Sequence, residues 1–148
     1  MEKANIIKAT ILAIIGIVGG AITSLLGGWT SDMQTLLILM GIDIVMGLLI
    51  AGFWKKSEKS PTGTINSLSM AKGLVRKGVY LLIILVAYRL DLSLNVEYIR
   101  TAVIIAFIVN EVISIIENAG IMGVPIPGVI ARAIEVLRNK SEGDADVN

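Results

Sequence analysis

Hydrophobic and polar positions divide the chain into apolar runs separated by polar punctuation. The first run, Ala9 to Ser31, carries no charge and exceeds the roughly 20 residues a helix needs to cross a bilayer core. A second, Met33 to Trp54, holds a single charged residue, Asp43. The third is shorter, because only Gly78 to Tyr88 lies between Lys77 and Arg89. It spans from about Leu74 to Leu92 if Arg76, Lys77 and Arg89 reach the interfaces on their long stems, and is otherwise re-entrant or interfacial. The fourth, about Arg100 to Ile116, mixes apolar residues with a run of polar ones. Gly120, Gly123, Pro125 and Pro127 then break the helix.

From Gly128 onward, Val129, Ile130, Ala133, Ile134 and Leu137 share one face of an amphipathic helix, with Arg132, Glu135 and Arg138 opposite. That helix can lie on a membrane surface or pack on a partner helix. The pattern therefore predicts an all-α membrane protein of about four hydrophobic helices, the third either short or re-entrant, plus a C-terminal amphipathic helix. Residues 1–127 form the transmembrane helical domain, 128–140 the cytoplasmic amphipathic helix, and 141–148 (SEGDADVN) a disordered acidic tail.

Composition agrees: over 148 residues, 55% are hydrophobic and 17% charged, with a mean hydropathy of +0.81. That is more apolar than an ordinary soluble domain. Cysteine and histidine are both absent, which removes disulfides, thiolate and imidazole chemistry and the usual zinc sites. No cofactor is called for.

The net charge of +1 matters less than where the charges lie. Lys55, Lys56, Lys59, Lys72, Arg76 and Lys77 bracket the polar stretch SPTGTINS, while Lys3 and Lys8 precede the first run and Arg132, Arg138 and Lys140 follow the last. With four spans, only Arg89 and Arg100 fall on the other face. The positive-inside rule then makes this basic cluster and both termini cytoplasmic. Topology alone accounts for the cluster, and attraction to anionic lipid headgroups would add to it. Its position beside membrane spans, without a recognition helix or interleaved aromatics, argues against nucleic-acid binding.

Three groups of residues are candidates for function. Gly16, Gly20, Ser24 and Gly28 recur every four residues, as a self-association face would require; glycine is also simply common in membrane helices. Asp43, at membrane depth, points into a bundle or an aqueous gap, or is a polar clamp satisfied by a neighbouring helix. In the fourth segment Asn110, Ser114 and Glu117 lie along one strip, and Glu111, Ser114 and Asn118 along the next. These are candidate pore-facing or helix-packing groups, because carboxylates in an apolar stretch normally face protein, water or a partner. Two glutamates without a nucleophile, metal set or cleft do not make an acid/base enzyme.

The ordered set of features resembles the toxin secretion/phage lysis holin family. It comprises Asp43 with Gly47, then Lys72, Gly73, Arg76 and Lys77, then Asp91, then Arg100-Thr101-Ala102-Val103. Asn110-Glu111, Ser114-Ile115, Glu117-Asn118 and Gly123-Val124-Pro125-Ile126-Pro127 complete it. The resemblance covers about residues 33 to 138 and thins over Ser57 to Met70. It implies a protein that accumulates in the host bacterial cytoplasmic membrane, forms homo-oligomers and opens lesions that release an endolysin, or a toxin in clostridial relatives. A small ion channel or transporter, and a non-conducting antiholin-like regulator, are the alternatives.

Overall fold

A computed structural model describes residues 2–54 and 67–143. Lys55, Lys56 and Lys59 of the basic cluster, most of the SPTGTINS stretch and residues 144–148 of the acidic tail lie outside the described residues, while 141–143, expected in that tail, continue the last helix. The described residues are helical with no strand: α1 (Glu2–Leu25), α2 (Ser31–Leu49) running on through a π-helical turn (Ile50–Trp54), α3 (Ser67–Leu94), α4 (Ile99–Ile121) and α5 (Gly128–Gly143). Among the described residues, three stretches are long and apolar enough to cross a membrane: Asn5–Leu25, Ser31–Trp54 and Ile99–Ile121. The chain is a membrane-type helical protein.

The helix ends follow from local chemistry. α1 stops at Leu25, short of the expected Ser31, because Gly27 and Gly28 take φ of +88° and +95°. Gly28 N–H donates to Thr23 O and Gly27 N–H to Ser24 O, the paired bonds of a glycine C-cap. α3 ends similarly at Asn95 (φ 54°) and α4 at Gly123 (φ +83°), with Val96 N–H and Val124 N–H reaching back to Asp91 O and Ala119 O. Thr10, Thr23 and Thr35 donate to the carbonyls of Ile6, Gly19 and Ser31, so these hydroxyls are satisfied within their own helices.

Two elements are longer than the hydrophobic runs suggest. α4 continues to Ile121, so Glu117 and Asn118 are helical. α3 is one unbroken 28-residue helix, about 42 Å at 1.5 Å per residue. Its charges, Lys72, Arg76, Lys77, Arg89 and Asp91, keep it out of the apolar set.

α2, α3 and α4 form the packed unit. Their core is Leu26, Met33, Leu36, Met40, Ile84 and Ile104, flanked by Leu37, Leu81, Leu85, Val103, Phe107 and Ile108. The buried residues form one stripe per helix: Met33, Leu36, Met40 and Asp43 on α2, Lys77, Ile84, Ala87 and Asp91 on α3, and Arg100, Ile104, Glu111 and Asn118 on α4. Each stripe is apolar in the middle and charged toward an end. Described side chains of α1, by contrast, stay exposed over nearly its whole length, with Ile6, Ile11, Ile15 and Ile22 each at least half exposed.

Candidate functional site

The charged ends of the three stripes meet in two clusters. The first joins α2, α3 and α4 through Asp43, Lys77, Glu111 and Asn118. Lys77 Nζ lies 3.0 Å from Asp43 Oδ2 and also donates to Glu111 Oε2. Asn118 Nδ2–H donates to the other oxygen of Asp43 across 2.8 Å. All four residues are buried.

The depth of this cluster gives it weight. Asp43 lies at the middle of Ser31–Trp54 and Glu111 at the middle of Ile99–Ile121. A charge there is costly in lipid and is tolerated when it faces protein and is paired. Here two carboxylates share one ammonium, and the Asn118 amide supplies a further donor. Among the described residues no buried side-chain nitrogen or oxygen lacks a partner.

The second cluster lies at the opposite end of the unit and ties helices to loops. Asp91, near the end of α3, accepts the backbone N–H groups of Ile99 and Arg100, both at 2.9 Å, and so caps the start of α4. A carboxylate is favoured there by the helix dipole. Arg100 then grips the α1–α2 turn: Nε donates to Leu26 O (2.6 Å), and a terminal nitrogen donates to Gly28 O (3.2 Å) and Thr30 Oγ1 (3.0 Å). Gly27 is indispensable to this contact. Beside its positive φ, a Cβ there would sit 2.8 Å from both Arg100 Nε and the Tyr88 ring.

The sequence candidates separate in space. Of the polar strips on α4, the one with Glu111 and Asn118 turns inward beside Asp43, while Asn110 and Glu117 face outward and Ser114 is half-buried between them. Asn110 Nδ2–H donates to Tyr80 Oη across 2.6 Å. Gly16, Gly20 and Ser24 lie on α1, and a Cβ on either glycine would meet nothing within 4 Å; Gly28 lies past the helix end, in the turn that Arg100 holds. Lys72 and Arg76 are exposed, but Lys77 leaves the basic cluster for the buried one. The roles of Lys77, Asp91, Arg100 and Tyr80 in these contacts are new from the structure. In sequence, Lys77, Asp91 and Arg100 stand among the residues of the family resemblance, and they fall on the same helical stripes as the apolar core.

Among the described residues, no group of three or more histidine, cysteine, aspartate or glutamate side chains is placed to hold a metal ion.

A family model described as the bacteriophage holin family matches residues 20–139 of the chain. Among similar proteins, an uncharacterized protein of Halalkalibacterium halodurans is 36% identical over 82% of this chain and 89% of its own. An uncharacterized 14.9 kDa protein of Clostridium perfringens, from the nagH 3' region, is 34% identical over 92% of this chain and 98% of its own. A protein of Bacillus phage phi105 named probable holin is 32% identical over 78% of this chain and 80% of its own. No solved structure matches the chain.

Proposed function

The chain belongs to the bacteriophage holin family, and we propose that it accumulates in the cytoplasmic membrane of a host bacterium, self-associates there and opens lesions that release an endolysin. The family is one of membrane pore-forming proteins rather than of enzymes. The observation that carries the reading is the buried set Asp43, Lys77, Glu111 and Asn118, in which Asp43 and Glu111 lie at the middle of their helices. In the closed chain these groups satisfy one another. A rearrangement that separates α2, α3 and α4 exposes three charges at bilayer depth, where only water or another copy can take them up. The same helices thus support a quiet state and a wet one.

In this reading α3 spans beside α2 and α4, and the N-terminus, the 55–66 connection and α5 share the cytoplasmic side. The excess of carboxylate over ammonium also suits a narrow cation path, which is the second reading. The test is inducible expression in a bacterium carrying a cytoplasmic reporter enzyme and a signal-less endolysin. Abrupt depolarisation with reporter leakage, and lysis only with the endolysin, is the expected outcome. Depolarisation without leakage would favour the cation path, and no effect at good membrane abundance would favour an antiholin-like regulator.

A further inference from the structure

One polar pair is left facing outward at the same depth. Asn110 lies at the middle of Ile99–Ile121 and Tyr80 near the middle of the 28-residue α3. Asn110 is exposed and Tyr80 half-exposed. Tyr80 stacks on Phe107, with ring centroids 4.1 Å apart and planes within 10°, which fixes the direction of its hydroxyl. One amide hydrogen of Asn110 is used on Tyr80 Oη. Among the described residues the Tyr80 hydroxyl proton, the Asn110 carbonyl oxygen and the second amide hydrogen have no partner, and acyl chains offer them none.

We propose that the Tyr80–Asn110 pair is the centre of a self-association seam that docks on the same pair of a second copy of this chain. The set is self-complementary. Across a two-fold axis, the Tyr80 hydroxyl of each copy donates to the Asn110 carbonyl oxygen of the other, so one patch serves both sides. Ala106 and Ser114, one turn to either side of Asn110, are small enough to let a second helix approach. A cation or water would satisfy the same atoms only inside a lesion already open; a second copy satisfies them in the intact bilayer. The proposal rests on the reading that the chain self-associates in the membrane, and locates where.

Since the chain has no cysteine, single cysteines report the seam. Ala106→Cys lies on the Asn110 face, while Ile105→Cys is exposed and on another face. Oxidative cross-linking in intact membranes, before any depolarisation, is expected to dimerise Ala106→Cys and not Ile105→Cys. Adding Asn110→Leu, or Tyr80→Phe, which keeps the ring stacking, should lower the dimer yield roughly three- to thirtyfold, the range for an interhelical hydrogen bond in lipid. Both variants are compared at equal membrane abundance and equal helix content. Cross-linking that ignores either substitution, or that is equal at the two cysteines, overturns the seam. Dimers at a Gly16→Cys site without dimers at Ala106→Cys overturn it too, while leaving self-association standing. Dimers at Ala106→Cys without any permeabilisation support the seam and remove the lytic reading.

Discussion

The ammonium of Lys77 on α3 lies 3.0 Å from a carboxylate oxygen of Asp43 on α2, at the middle of a stretch apolar enough to cross a membrane. The same ammonium holds Glu111 of α4. One lysine therefore ties three helices together, and the consequences of removing it differ from those of removing either acid.

Lys77→Met should be the most damaging single change in the packed unit. It keeps a long apolar stem but leaves Asp43 and Glu111 buried against each other without a counter-charge. Breaking a buried ion pair from one side costs about 3–5 kcal/mol. Thermal unfolding in detergent should show the loss. The triple change Lys77→Met, Asp43→Asn, Glu111→Gln should recover most of it, since neutral groups remove the repulsion. If the triple variant is no more stable than Lys77→Met, the three residues do not act as a unit.

Asn118→Ala removes one hydrogen bond to Asp43 while leaving the ion pair in place. The expected cost is smaller, about 1–2 kcal/mol, because the stranded acceptor still faces an ammonium. In the lysis assay this variant should trigger earlier than the parent at equal abundance. Delayed lysis would mean that the closed state is not what Asn118 supports.

The grip of Arg100 on the α1–α2 turn predicts that Arg and Lys are not equivalent there. Arg100→Lys keeps the charge, but a single ammonium cannot reproduce the reach of the guanidinium to Leu26 O, Gly28 O and Thr30 Oγ1. Gly27→Ala attacks the same contact from the other side, through its positive φ and the 2.8 Å approach to Arg100. Both changes should raise the labelling of a cysteine placed at Trp29 severalfold, and neither should change labelling near α5. Uniform labelling would detach the turn from Arg100.

The hydrophobic runs made the apolar helices legible, and Asp43, Glu111 and Asn118 stood out because charge and amide are rare there. Lys77 stood out only as part of the basic cluster and the family resemblance, not as a buried group. In sequence it adjoins Arg76 and follows Lys72, and its neighbours suggest a shared aqueous face. A helix turns 100° per residue, so adjacent Arg76 and Lys77 point in different directions. Lys77 shares a stripe with Ile84, Ala87 and Asp91, and burial follows the stripe. The α4 strips were visible as two adjoining rows, but which one turned inward depends on where Asp43 and Lys77 arrive from other helices. Gly28 was misleading for a local reason: its four-residue spacing from Ser24 continues the pattern, yet the positive φ at Gly27 has already ended the helix.

Asp91 offers the last test, because it separates capping from charge. Its two oxygens accept the N–H groups of Ile99 and Arg100, so its main work is to satisfy the start of α4. Asp91→Asn keeps one acceptor oxygen and should cost about 1 kcal/mol, whereas Asp91→Ala leaves both N–H groups without it and should cost about 2 kcal/mol. If instead Asp91 served chiefly as a counter-charge to Arg100, the two variants would be equally destabilised. Melting of the purified protein in detergent at low and high salt distinguishes these cases. A capping bond predicts a salt-independent ordering with Asn between Asp and Ala, and a charge effect predicts Asn level with Ala and a gap to Asp that narrows with salt.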